Sequence, residues 1–168
     1  HVMARRQRQM CIRDRPSGLA SAYAAAKNGA RVILAEDKPR YGGSLLTSDV
    51  NIGNQTGVEW SEKIITELKS MSNVIVKNRS QVFGYYDHNM LVMSERISDH
   101  LPKTQKYLPK QRLWYIRAKE VLISSGSIER PLVFGNNDTP GVMLSSAAKE
   151  YMKAVSYTHL TLPTSHNV

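Results

Sequence analysis

Pro16-Ser17-Gly18-Leu19-Ala20-Ser21-Ala22-Tyr23-Ala24-Ala25-Ala26-Lys27-Asn28-Gly29-Ala30-Arg31-Val32-Ile33-Leu34-Ala35-Glu36 is the stretch whose reading decides the fold. Leu19, Ala22, Tyr23 and Ala26 recur at helical spacing, so Ser17 to Asn28 reads as a helix. Gly29 ends it, because glycine readily takes the left-handed position after a helix. Val32-Ile33-Leu34-Ala35 is a short, continuous apolar run directly after that helix, the pattern of a buried parallel strand. Glu36 and Asp37 close the run. Helix, tight turn, strand and terminal acid form the later part of a dinucleotide-binding βαβ unit.

Such a unit needs a glycine-rich turn between its first strand and helix. The glycines let the backbone approach a pyrophosphate, which meets the positive end of the helix, while the acid accepts hydrogen bonds from a ribose. Pro16-Ser17-Gly18 fits the end of G-x-G-x-x-G, with Gly18 as the third glycine, the one that permits close packing of helix on strand. Counting back places the first two glycines at positions 13 and 15, where this chain has Arg13 and Arg15. A side chain at either position crowds the turn or the phosphate. The expectation is a fold built for a dinucleotide in a chain that binds it weakly or not at all. The strand that should precede Ser17 is expected to be absent. On these residues alone, many α/β folds stay open.

Outward from this stretch, Pro39 to Ser44 contains Gly42-Gly43 and reads as a loop. Val58 to Met71 reads as a second helix with Ile64, Ile65 and Leu68 on one face, and Val74-Ile75-Val76 as the next strand. Gln81 to Tyr86 and Met90 to Met93 alternate as antiparallel strands do, and Leu113 to Ile116 and Val121 to Ile123 read likewise. Ser124-Ser125-Gly126 ends the last of these, and Ser145 or Ser146 caps a final helix running to Ala154. The element order is that of an α/β, Rossmann-like unit with a small antiparallel β insertion, and the expected fold class is an FAD/NAD(P)-binding domain of this type, truncated at its N-terminal strand.

The chain has 168 residues, 41% hydrophobic and 22% charged, which suits a soluble globular unit. Its net charge of +9 raises nucleic acid as a partner, but the charge is unevenly placed. Residues 1–15 hold five arginines and one acid, and the remaining bases are interspersed with acids such as Glu59, Glu62 and Glu67. With no RNA-stacking motif and no zinc-finger spacing, a nucleic-acid partner is not expected. Cys11 is the single cysteine, which excludes an internal disulfide and fits a cytoplasmic setting. No apolar run approaches the ~18 residues of a membrane span, and no leader-like apolar segment opens the chain.

Both ends read as foreign to the domain. Arg8 to Arg15 and Ser156 to Thr164 resemble translated sequencing-adapter read-through, with natural disordered tails as the alternative. The expected organisation is an arm over 1–15, a partial FAD/NAD(P)-binding domain over 16–154 and a tail over 155–168, with no catalytic role in either end.

Several residues invite a chemical reading that a plainer one outweighs. His88, in Tyr86-Asp87-His88-Asn89, reads as a turn residue, and His100 as a surface one without metal-spaced partners. Tyr85 and Tyr86 face opposite ways on a strand, so only one can join the core. Glu129-Arg130 reads as an ion pair within a loop, and Trp60 and Trp114 as packing residues. No catalytic residue and no metal ligand is assigned.

The segments Pro16 to Ala20, Gly29 to Leu34, Gly42 to Leu46, Val82 to Asn89, Arg112-Leu113-Trp114, Ile128 to Phe134 and Asn137 to Leu144 together resemble the nucleotide-binding region of heterotetrameric sarcosine oxidase alpha subunits. That resemblance implies a cytoplasmic complex with beta, gamma and delta subunits that demethylates a methylated amino acid, sarcosine. The products would be glycine, hydrogen peroxide and a one-carbon unit passed to tetrahydrofolate. It implies NAD in this region, with FAD as the alternative, and flavins elsewhere in the complex. It places Ser17 and Gly18 at the pyrophosphate, and Glu36, Asp37 and Lys38 around the adenosine ribose. Gly43 and Ser44 would face the nucleotide, Val82 would lie on the adenine side, and Ser125 and Gly126 at a strand end returning to the cofactor. A non-catalytic dinucleotide-binding scaffold and the nucleotide-binding subunit of another amine or opine dehydrogenase stand as alternatives.

Overall fold

The computed structural model describes residues 8–12, 16–101, 107–127 and 129–154, which fall in two compact units divided after Gly126. The first unit opens with strand β1 (Arg8–Ile12), helix α1 (Pro16–Lys27) and strand β2 (Arg31–Ala35). Gly29, at φ +82°, ends α1: its N–H donates to the Ala26 carbonyl (3.0 Å) and that of Ala30 to the Ala25 carbonyl (3.1 Å). This paired arrangement satisfies carbonyls that the last helical turn leaves open. A small hairpin of β3 (Asn51–Ile52) and β4 (Gln55–Thr56) leads into α2 (Gly57–Ser70) and then β5 (Val74–Lys77). Thr56 starts α2 with a capping box: the Glu59 N–H donates to its hydroxyl, and its own N–H donates to the Glu59 carboxylate. An antiparallel meander follows, β6 (Ser80–Tyr86), β7 (Met90–Arg96) and β8 (Gln111–Arg117), and β9 (Glu120–Ile123) ends the unit.

The main sheet is parallel throughout, in the order β5-β2-β1-β9. Two expectations are corrected here. The place ahead of α1 is not empty: Arg8–Ile12 pairs with β2 on one side and β9 on the other. A central parallel strand is held by backbone ladders that any extended residues can make, and Arg8-Gln9 hides the apolar run that would announce it. Val121 to Ile123 belongs to this parallel sheet and not to the antiparallel insertion, since it pairs in parallel with Met10 to Ile12. Four residues are too few for alternation to reveal direction.

Each face of the sheet carries its own core. Val32 and Leu34 pack against Leu19, Ala22 and Ala26 of α1 and Ile64, Ile65 and Leu68 of α2, with Trp60 alongside. Ile33 and Ala35, which alternate with them, face Leu91, Met93 and Ile116 of the meander, with Trp114 and Val121 alongside. Burying side chains such as Leu34 and Leu68 stabilises by about 1.5–3 kcal/mol each. Neither Tyr85 nor Tyr86 joins this core, and both are exposed. The Tyr86 ring instead lies over Gly84, beside a bulge between Val82 and Gly84.

In the second unit, α3 (Ser145–Ala154) is capped from a distance in sequence. The Glu129 carboxylate accepts from the Ser145 hydroxyl (2.7 Å) and the Ser146 N–H (2.9 Å). These donors hold the Glu129 carboxyl below its usual range. The expected Glu129–Arg130 pairing is corrected accordingly: the helix N-terminus offers donors in fixed positions and suits an anion.

Candidate functional site

The sheet register gathers the residues that the sequence singles out. Ile12 stands level with Ala35 of β2 and with Ile123 of β9, so three neighbouring strands end in line. Glu36 follows Ala35 and Ser124 follows Ile123, while α1 begins four residues beyond Ile12. Open α/β sheets bind their ligands at these carboxyl ends. Ser17 and Gly18 lie in the first turn of α1, Ser17 exposed and Gly18 buried. That turn contains no acidic residue, so the positive helix end is not neutralised by its own side chains. A shallow cleft lined by Arg31, Ser72 and Asn73 lies at the opposite, amino-terminal ends of β2 and β5, away from this site.

Glu36 is only 3% exposed. A carboxylate in such a place needs donors to offset lost hydration. The Lys38 N–H supplies one, 2.7 Å from Oε1, bending the chain into a tight turn with the acid at its centre. The backbone of Glu36 is also committed: its N–H donates to the Lys77 carbonyl (2.9 Å), and its carbonyl accepts from the Ser80 N–H (2.7 Å). Asp37 is half-buried and Lys38 exposed on the same turn.

Gly43 and Ser44 lie in a short 3-10 turn, Gly43–Leu46, within what reads from sequence as loop; it packs against α1 and α2. Gly42 precedes it at φ +117°, and an added Cβ there would stand 3.0 Å from the Ser61 hydroxyl, so the bend needs glycine. Ser44 is exposed, Ser125 half-buried, and Gly126 turns the chain at φ +63°. Val82 is placed differently from the others: its side chain packs on the Ile33, Ala35 and Leu91 core under the meander. His88 occupies a turn at φ +58°, as the sequence suggests, and His100 Nδ1 lies 3.6 Å from an Asp99 carboxylate oxygen. Among the described residues, no group of three or more His, Cys, Asp or Glu side chains could hold a metal, and no helix is long and apolar enough to cross a membrane.

Two clusters beside the acid turn carry no local sequence signal. Asn78, Arg79, Ser80 and Arg96 surround the turn's backbone. Glu95 accepts from Lys77 Nζ (2.9 Å) and Trp114 Nε1 (2.7 Å), with Arg112 at 3.7 Å. Burial pushes its carboxyl up, but the donors from Lys77 and Trp114 and the charges of Lys77 and Arg112 outweigh it and hold the group below its ordinary value.

No family model matches the chain. Over 137 residues, however, it is 42% identical to the sarcosine oxidase alpha subunit of Rhizobium meliloti (strain 1021), a match that takes in 82% of this chain. This chain is a relative of the sarcosine oxidase alpha subunit. Its counterpart in Corynebacterium sp. (strain U-96) is 37% identical over 140 residues. The chain spans only about 14% of the length of either sarcosine oxidase relative. An opine oxidase subunit of Agrobacterium tumefaciens (strain Ach5) is more distant, 24% identical over 144 residues, covering 83% of this chain and 27% of that one. Among solved structures, L-proline dehydrogenase from P. horikoshii superposes with a TM-score of 0.66 at 21% identity, over 88% of this chain and 29% of that one. Lactococcus lactis thioredoxin reductase gives 0.54 at 17% identity, over 79% and 40%. The likeness places this sarcosine oxidase relative in the α/β Rossmann-like fold of such oxidoreductases.

Proposed function

We propose that this chain is the dinucleotide-binding part of a sarcosine oxidase-type alpha subunit, with NAD as the nucleotide. The observation that carries the reading is the buried Glu36 carboxylate directly after β2, whose last residue, Ala35, is level with the end of the strand that leads into α1. That is where a ribose diol meets an acid while its diphosphate meets a helix N-terminus. Glu36 would accept from the ribose hydroxyls, with Asp37 and Lys38 flanking it. Ser17 and Gly18 would approach the diphosphate. Gly43, Ser44, Ser125 and Gly126 would line the same end of the sheet, and Val82 would support the adenine side from the core. FAD presents the same diol and diphosphate and is the alternative ligand.

The reaction of the whole protein would be oxidation by dioxygen at the CH–NH bond of sarcosine, giving glycine and hydrogen peroxide, with the one-carbon unit passed to tetrahydrofolate. Flavins and the beta, gamma and delta subunits would complete a cytoplasmic heterotetramer, and this chain would be inactive by itself. The 42% match to sarcosine oxidase against 24% to opine oxidase favours the methylated amino acid. Arg13 and Arg15 stand where the fingerprint has glycine, so affinity should be low in the chain as written. Calorimetric titration with NAD and FAD tests this. Weak or absent heat is expected for the unaltered chain, and measurable binding after Arg13→Gly with Arg15→Gly. Tight binding by the unaltered chain, or none after both substitutions, would contradict the reading.

A further inference from the structure

The acid turn is held by an unbroken series of backbone acceptors. Four consecutive carbonyls, those of Glu36, Asp37, Lys38 and Pro39, accept hydrogen bonds from the segments packed around the turn. Their donors are the Ser80 N–H (2.7 Å), Arg96 Nη2 (3.1 Å), the Arg79 N–H (3.2 Å) and Asn78 Nδ2 (3.0 Å). Three of the donors come from the 78–80 turn, directly after β5. The fourth, Arg96, lies at the end of β7, and its own N–H donates to the Arg79 carbonyl at 2.9 Å. Arg96 thereby bonds both the turn and the segment that clamps it. It also supplies the one charged donor of the four, and charge-assisted bonds are roughly twice as strong as neutral ones.

We propose that Arg96 is a positioning residue for ribose recognition: by fixing the Asp37 carbonyl it holds the Glu36–Lys38 turn, and with it the Glu36 carboxylate, in the geometry that receives a sugar diol. The inference rests on the nucleotide reading above and assigns the antiparallel insertion a part in it. The Lys38 N–H reaches Glu36 Oε1 only while this turn keeps its shape, so releasing the Asp37 carbonyl loosens the carboxylate although Arg96 itself is exposed. A group misplaced by even a fraction of an ångström loses directional bonds.

The test uses the full 168-residue chain with Arg13→Gly and Arg15→Gly, titrated calorimetrically with ADP-ribose. Arg96→Ala should weaken binding by about tenfold, and Arg96→Lys, which keeps a cationic donor, should recover most of it. Glu36→Gln should weaken binding as well, and adding Arg96→Ala to it should cost much less than tenfold, because the two act through one turn. Thermal melts followed by circular dichroism show whether each variant is folded. Arg96→Met, which keeps the apolar stem and lacks the donor, replaces Arg96→Ala if that variant fails to fold. Unchanged affinity in a folded Arg96→Ala or Arg96→Met, while Glu36→Gln binds more weakly, overturns this inference and leaves the nucleotide reading standing. No binding by the background chain overturns both.

Discussion

At the scale of single residues, two carboxylates show how differently sequence and structure disclose a site. Glu36 is legible because it closes an apolar run at a spacing the fingerprint expects. Glu95 is not: its partners Lys77, Trp114 and Arg112 come from two other strands, and nothing in its neighbours along the chain points to them. Its energetics can be checked directly. Glu95→Ala strips the Trp114 N–H and the Lys77 ammonium of their acceptor and should destabilise the first unit by about 1–3 kcal/mol in urea unfolding. Because the folded carboxyl lies below its ordinary value of 4.5, its contribution is fully present above that pH and disappears as pH falls through the lower, folded value. Stability should therefore decline on acidification below about 4.5, and Glu95→Gln should show a shallower decline. An identical pH profile for Glu95→Gln would contradict the assigned role.

At the scale of elements, helices α1 and α2 and strand β2 are legible because their signals are local: apolar spacing, a glycine stop and a closing acid. The capping box of α2 is also local, and the observed helix begins one residue before the periodicity suggests. Thr56→Ala should lower stability by about 1 kcal/mol, and Thr56→Ser should restore most of it, as read from chemical denaturation. Strand direction and membership are not local. Val121 to Ile123 reads as part of an alternating group, yet its partner is the first strand of the chain. The clamp on the acid turn depends likewise on Arg96, which lies 59 positions from Asp37 in sequence. Asn73 is another example: its side-chain amide donates to the carbonyls of Ala26 (2.9 Å) and Ala30 (2.7 Å), joining the end of α1 to the approach to β5. Asn73→Ala should cost about 1–3 kcal/mol and raise the unfolding rate. No change in either would show that water replaces the amide without loss.

At the scale of the whole molecule, the sheet needs a middle member, and the structure puts Arg8–Ile12 there. Removing residues 1–12 should abolish cooperative unfolding of the first unit, because β9 and β2 would both lose a ladder. A truncated chain with an unchanged urea transition would show that the first strand is dispensable. The foreign look of this segment hid its place in the fold, since ladder hydrogen bonds depend little on side-chain identity. The broader outline, an α/β unit with an antiparallel insertion and an acid at the sheet's carboxyl end, was readable from periodicity and spacing. The gathering of Gly18, Glu36 and Ser125 at one end required the register.

The central claim is that this end of the sheet receives a nucleotide. Amide chemical-shift mapping of ADP-ribose binding to the chain carrying Arg13→Gly and Arg15→Gly tests it most directly. Perturbations should concentrate at Gly18, Glu36 to Lys38, Ser44, Ser125 and Gly126, with little change around Arg31, Ser72 and Asn73 at the opposite end of the strands. Shifts confined to that opposite end, or absent at saturating ligand, would contradict the account.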